Sequence, residues 1–178
     1  MKFADNKNLY IRRALFAFLI VITAACQHTA GDAFSIFGAR AFLLIPLTVT
    51  VAMNEKSMGG LSFGLLAGIL WDAATVRGDG FYSVALALAG FTAGVAVSYI
   101  VRNNILAALL LTGGACLFVT VSYWFIFIFM RGYEGAFAMF FDFYLPSAVY
   151  SLAFTAVYYY IVKGIIKLTA DNKQSKKY

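Results

Sequence analysis

Residues 57–80 read Ser57-Met58-Gly59-Gly60-Leu61-Ser62-Phe63-Gly64-Leu65-Leu66-Ala67-Gly68-Ile69-Leu70-Trp71-Asp72, then continue from Ala73 to Gly80. Gly60, Gly64, Gly68 and Asp72 recur every four residues, so on a helix they form one nearly straight stripe. In a soluble helix each glycine costs about 1 kcal/mol relative to alanine. In a lipid-spanning helix the same glycines make a smooth groove into which another backbone packs closely. The stripe ends on a carboxylate, and ionisable groups at membrane depth are expensive and often functional.

The rest of the chain agrees with a membrane setting. It is 62% hydrophobic and 12% charged, with mean hydropathy +0.82. A soluble domain carries about 25% charged residues. The charges cluster between apolar stretches, the pattern of a polytopic membrane protein, which leaves no room for a separate soluble domain. The net charge of +6 does not point to nucleic acid, because no basic, aromatic-interleaved polar surface exists to carry it. Cys26 and Cys116 both fall in apolar segments and read as free, buried thiols. His28 is the sole histidine and there is no CxxC, so no metal or cofactor is expected.

Working outward from the stripe, six spans emerge. Residues 1–13 are a polar, basic N-terminal segment, followed by an apolar run Ala14–Cys26 that spans if counted from Tyr10 to His28. A basic start before a short apolar core also fits a signal peptide, and Thr23-Ala24-Ala25-Cys26 resembles a lipoprotein cleavage box, with Thr23 where leucine is usual. A second span covers Ala39–Met53 and contains Pro46; residues 54–57 turn the chain into the striped third span, Met58–Val76. Arg77-Gly78-Asp79-Gly80 is the next turn, with glycines supplying φ freedom. The fourth span, Phe81–Val101, carries its own small-residue rows through Ala85, Ala89 and Ala93 and through Gly90, Gly94 and Ser98. The fifth is Ile105–Met130; an aromatic loop of residues 131–144 follows, and Pro146 opens a sixth span ending near Lys167. The six-helix transmembrane domain is thus 14–168, with a basic tail at 169–178.

Six spans put both termini on one side. The N-terminus, the 54–57 turn, the 102–104 turn and the C-terminus hold 11 of the 14 basic residues, against Arg40, Arg77 and Arg131 on the other face. The positive-inside rule then places both termini in the cytoplasm, with Asp32, Asp72, Asp79, Glu134 and Asp142 outside.

The chemistry is sparse. Two small-residue stripes on neighbouring antiparallel spans serve either to pack those spans together or to dock another protein, and Gly60, Gly64, Gly68, Gly90 and Gly94 are the positions concerned. Asp72 sits in the last turn of its helix, where it meets the negative end of the macrodipole and needs compensation. Arg77 and Arg40 are the partners at hand, making an ion pair or loop tether the expected role ahead of a proton or substrate site. Tyr133, Phe137, Phe140, Phe141 and Tyr144 form either an aromatic belt or a partner surface. No HExxH, GxSxG, paired intramembrane aspartates or Ser/His constellation is present, and the mid-span hydroxyls of Thr48, Thr50, Ser62, Thr112, Ser122 and Thr155 assemble no evident transport site.

Pro46, then Gly64-xxx-Gly68-xxx-Asp72 with Gly80 eight residues on, six short-looped spans and Pro146 opening the last one resemble the MreD family of rod-shape-determining membrane proteins, over roughly residues 10–168. The resemblance implies a non-enzymatic scaffold of the bacterial plasma membrane, part of the machinery that builds the lateral cell wall. It implies binding to the bitopic protein MreC and association with MreB and with the glycosyltransferase RodA and its transpeptidase. It also implies the fold of substrate-binding S components of energy-coupling-factor vitamin transporters, the rival reading. The AxxxA docking motif usual in the first span of those components is not met by Ala14, Ala17, Ala24 and Ala25.

Overall fold

The structure, a computed structural model, describes residues 2–29, 41–75, 79–133 and 135–171, the side chains of 2–7, 136, 170 and 171 excepted. Arg40 and Arg77, the expected partners of Asp72, lie outside the described residues. The helices are α1 (Lys2–Thr29), α2 (Leu44–Ala74), α3 (Phe81–Tyr99), α4 (Ile105–Trp124), the short α5 (Ala136–Met139) and α6 (Leu145–Asp171). Widened π-helical turns occupy Phe125–Phe129 and Phe140–Tyr144. Among the described residues, five helices are long and apolar enough to cross a membrane: Asn8–Thr29, Leu44–Ala74, Phe81–Tyr99, Ile105–Phe129 and Phe137–Thr169. Large apolar side chains such as Phe18, Leu106 and Leu110 stand on the outside. Lipid tolerates that surface, whereas water would not. The chain is an α-helical, multi-pass membrane protein.

The helical run α2 is not one straight rod. Lys56 breaks it with φ 64° and ψ −176°. Phe42, just before α2, lies against Trp71 near its far end, ring centroids 5.6 Å apart. A side chain at Gly60 would meet the Ala52 methyl at 2.8 Å. Residues this far apart in sequence touch only if the chain doubles back, so 44–55 and 57–74 are the two arms of a helical hairpin. A lysine in this backbone region costs of order 1–3 kcal/mol and persists only when its surroundings hold it. Here the turn crosses Gly94 of α3, where a Cβ would stand 2.7 Å from the Lys56 carbonyl and from Ser57 Cα.

The hairpin is the centre of the bundle. Its first arm is buried throughout from Leu44 to Met53. α1 covers one side through Phe16, Ile20 and Ala24, with Phe16 edge-on to Phe63 at 6.0 Å. α4 and α6 cover another through Ala107, Ala108 and Tyr159, which pack on Val49, Ala52 and Met53. Because the start of α2 is enclosed, its free amides need partners from elsewhere. The Phe42 N–H donates to Ser151 Oγ of α6 at 2.8 Å, and the Leu44 N–H donates to Gln27 Oε1 of α1 at 3.0 Å.

The basic N-terminal segment is continuous with the first span: α1 runs unbroken from Lys2 to Thr29 and carries Arg12 and Arg13 into the bundle. One sequence expectation is corrected. The aromatic stretch 131–144 is not all loop: α5, the second π turn and α6 follow one another from Ala136 to Asp171. Pro146 therefore lies inside a longer helical run. Proline removes an amide and crowds the preceding turn, and the widened turn Phe140–Tyr144 directly before it accommodates that.

The two ends of the bundle differ. At one, Asn8 Nδ2 reaches the Thr169 carbonyl at 3.4 Å, Arg12 and Arg13 meet Glu55, and Asn103 Nδ2 donates to Asn54 Oδ1 at 2.9 Å. The start of α1, the end of α6, the hairpin turn and the α3–α4 turn thus share a basic end. Asp72, Asp79 and most of the aromatic rings share the other.

Candidate functional site

The stripe on the second arm of α2 meets α3 in antiparallel register. Counting up four residues on one helix counts down four on the other: Gly60 faces Gly90, Gly64 faces Leu86, and Gly68 faces Tyr82 and Ser83. A Cβ at Gly60 would stand inside the Gly90 carbonyl, and one at Gly90 inside the Gly60 carbonyl. The real Cα hydrogens point at those oxygens instead, a contact typical of closely crossed helices. Gly94 takes the hairpin turn in the same way. All five glycines named from the sequence lie in this seam, so none offers a groove to another protein. Gly114 of α4, by contrast, has nothing within 4 Å of where a side chain would grow.

Asp72 closes the seam. It is 8% exposed, and its carboxylate accepts from the Tyr82 N–H at 3.2 Å, the Ser83 N–H at 2.8 Å and the Ser83 hydroxyl at 2.5 Å. Those amides belong to the first turn of α3, whose own N-cap is Gly80 (φ 72°), a residue with no side chain to cap it. A carboxylate from α2 therefore supplies the cap and meets the positive end of the α3 dipole. Among the described residues, compensation for this carboxylate comes from backbone amides and the Ser83 hydroxyl. Asp72→Ala should lower stability by about 2–3 kcal/mol and Ser83→Ala by about 1 kcal/mol, because the first removes all three hydrogen bonds to the carboxylate and the second only one. Thermal unfolding in detergent checks both, and equal losses would contradict the capping account.

A second carboxylate site was not expected. Glu55 precedes the hairpin turn and reads in sequence as a solvated turn residue, yet its side chain is 1% exposed. Arg12 reaches Oε1 at 2.6 Å through Nη2 and at 2.7 Å through Nε, and Arg13 Nε reaches Oε2 at 3.1 Å. The pair Arg12-Arg13 followed by a carboxylate at a turn was the available signal, but only the approach of α1 to that turn gives it meaning.

The mid-span hydroxyls divide. Thr50 donates to the Pro46 carbonyl at 2.8 Å and Ser62 to the Met58 carbonyl at 2.9 Å. Thr48, Thr112, Thr120 and Thr155 are buried with no hydrogen-bond partner for the hydroxyl. Both cysteines are free, Cys116 buried and Cys26 exposed. Among the described residues no group of three His, Cys, Asp or Glu side chains could hold a metal ion.

At the Asp72 end the rings interlock. Trp71 stacks on Tyr82 at 4.3 Å and 7°, and Tyr82 on Tyr123 at 5.4 Å and 17°. Of the expected partner-surface residues, Tyr133, Phe137 and Phe141 are exposed, while Phe140 and Tyr144 are half-buried. Phe137 and Phe140 pack on Trp124 at 5.5 and 5.1 Å.

On the flank of the bundle, α3 and α4 part to leave an apolar groove of about 420 Å³, floored by Ala89, Ala93, Gly114 and Ala115 and edged by Leu88 and Phe118. Small residues below and bulky ones at the rim give the shape that accepts a helix. These features define a helical membrane protein held by one glycine seam and two carboxylate clamps. No family model, curated protein or solved structure matches the chain.

Proposed function

We propose that the protein is a non-enzymatic membrane scaffold of the MreD type, which docks the single span of an MreC-like bitopic partner in the groove between α3 and α4. The observation that carries this reading is the groove itself: about 420 Å³, apolar, and floored by small residues. The glycine seam is filled from within the chain, whereas this groove is open. In this reading the two arms of the α2 hairpin count as separate spans, making six in an S-component-like bundle. The first arm, at 1.5 Å per residue, is only about 18 Å long and is sheltered by its neighbours. The basic end then lies in the cytoplasm with both termini, and the Asp72 end faces outward across the bacterial plasma membrane. The scaffold would act with MreB, RodA and its transpeptidase in lateral wall synthesis.

The test is co-purification of a coexpressed MreC-like protein. Gly114→Leu fills the groove where nothing stands within 4 Å, so it should leave the protein folded while reducing partner recovery about tenfold. Full recovery with Gly114→Leu, or no recovery with the wild type, would sink the proposal.

A further inference from the structure

We infer that the aromatic cleft at the Asp72 end binds an organic ammonium cation, the chemistry of an ethanolamine or choline lipid headgroup or of the same amine free in solution. Two cavities of about 220 Å³ each adjoin there, sharing Tyr123 and Phe127. The first also exposes Phe81 and Tyr82 and carries two carboxylates, Asp72 and Asp79. Both faces of Tyr82 are covered by Trp71 and Tyr123, so the rings of Phe81, Tyr123 and Phe127 and the formal charge of the carboxylates are what the wall offers a cation.

The carboxylates differ in availability. Asp72 is committed to the amides of α3. Asp79 is exposed and has no hydrogen-bond or ion-pair partner among the described residues. One face of the Phe127 ring carries a cation from the chain itself, the Arg131 guanidinium at 5.6 Å, which an ammonium binding on that face displaces. A metal ion fits poorly, because hard cations need six or more oxygen ligands and the wall offers mostly carbon. Each cavity is also below the usual volume for a drug-sized ligand, which suits a headgroup-sized amine.

One further observation marks the cleft as a built site. The second cavity is walled by both π turns, through Phe127 and Ile128 of one and Tyr144 of the other. Such turns are frequently found at functional sites. Its place among interfacial aromatic rings at the helix ends is where lipid headgroups lie.

The experiment uses the full chain in maltoside detergent. The chain has two tryptophans, so Trp124→Phe leaves Trp71, stacked on Tyr82, as the only reporter. Choline chloride should change Trp71 fluorescence saturably, while sodium chloride at equal ionic strength should not. Asp79→Asn should raise the half-saturation concentration about tenfold, with Asp79→Glu restoring most of it. Phe127→Leu should raise it about threefold. Native mass spectrometry with equal phosphatidylethanolamine and phosphatidylglycerol separates the sources. Preferential retention of the ethanolamine lipid, lost in Asp79→Asn, assigns a headgroup; a choline response without lipid preference assigns a free amine. An equal response to sodium and choline with no lipid preference would overturn the proposal, as would an Asp79→Asn variant that changes neither readout.

Discussion

Gly64→Leu should leave almost no folded protein in detergent extracts, and even Gly64→Ala should cost about 3 kcal/mol or more. A Cβ at Gly64 would stand inside the Leu86 carbonyl and 3.1 Å from Ala87 Cα. Those obstacles are backbone atoms in the middle of α3, so no side-chain rotation relieves them and the two helices must separate. Separation forfeits the close contacts at Gly60–Gly90 and Gly68–Ser83 as well, because one rigid helix carries all three glycines. Lipid offers no hydrophobic gain to offset the loss, since association in membranes depends on close packing and polar contacts. Gly114→Ala and Gly164→Ala, with nothing within 4 Å, serve as controls and should melt as the wild type does. Fluorescence-detected size-exclusion chromatography after a heating series measures the difference. Normal yield and melting of Gly64→Ala would mean that the seam is not the main support of the fold.

The seam shows where sequence reading succeeds and where it stops. A four-residue glycine period is legible because helix geometry alone places those residues on one line, and the short turn after Asp72 identifies the helix they meet. The partner of each glycine is not legible, because register depends on where the turn releases the chain. Asp72 was legible as a charge needing compensation. Its donors were not, since the Tyr82 and Ser83 amides become a binding site only once α3 starts beside them. Residues 131–144 misled for a local reason: Gly132 and Gly135, both at positive φ, signal a loop, and helix resumes directly afterwards at Ala136. Glu55 was opaque for the opposite reason. A carboxylate beside Asn54 and Lys56 has every local mark of a solvated turn, and its burial follows entirely from α1 passing over it.

Glu55→Gln should destabilise the protein by about 2–3 kcal/mol, a little below the usual range for breaking a buried ion pair. The reduction follows from exposure: the Arg12 and Arg13 side chains are 26% and 48% exposed, so each retains access to water when its partner is neutralised. What is lost is the joint. Glu55 sits one residue before the strained Lys56 turn and fixes α1 to it, so the same carboxylate that neutralises two guanidiniums also holds the hairpin in place. Removing the arginines singly should be unequal. Arg12→Ala loses two close contacts to Oε1 and the more buried side chain, whereas Arg13→Ala loses one contact at 3.1 Å, so Arg12→Ala should cost about 2 kcal/mol and Arg13→Ala about 1 kcal/mol. In the Glu55→Gln background both arginine replacements should become nearly neutral, because the charge they served is gone. A thermal-melt double-mutant cycle in detergent reads this directly. Additive losses across the cycle would show that the arginines act through something other than Glu55.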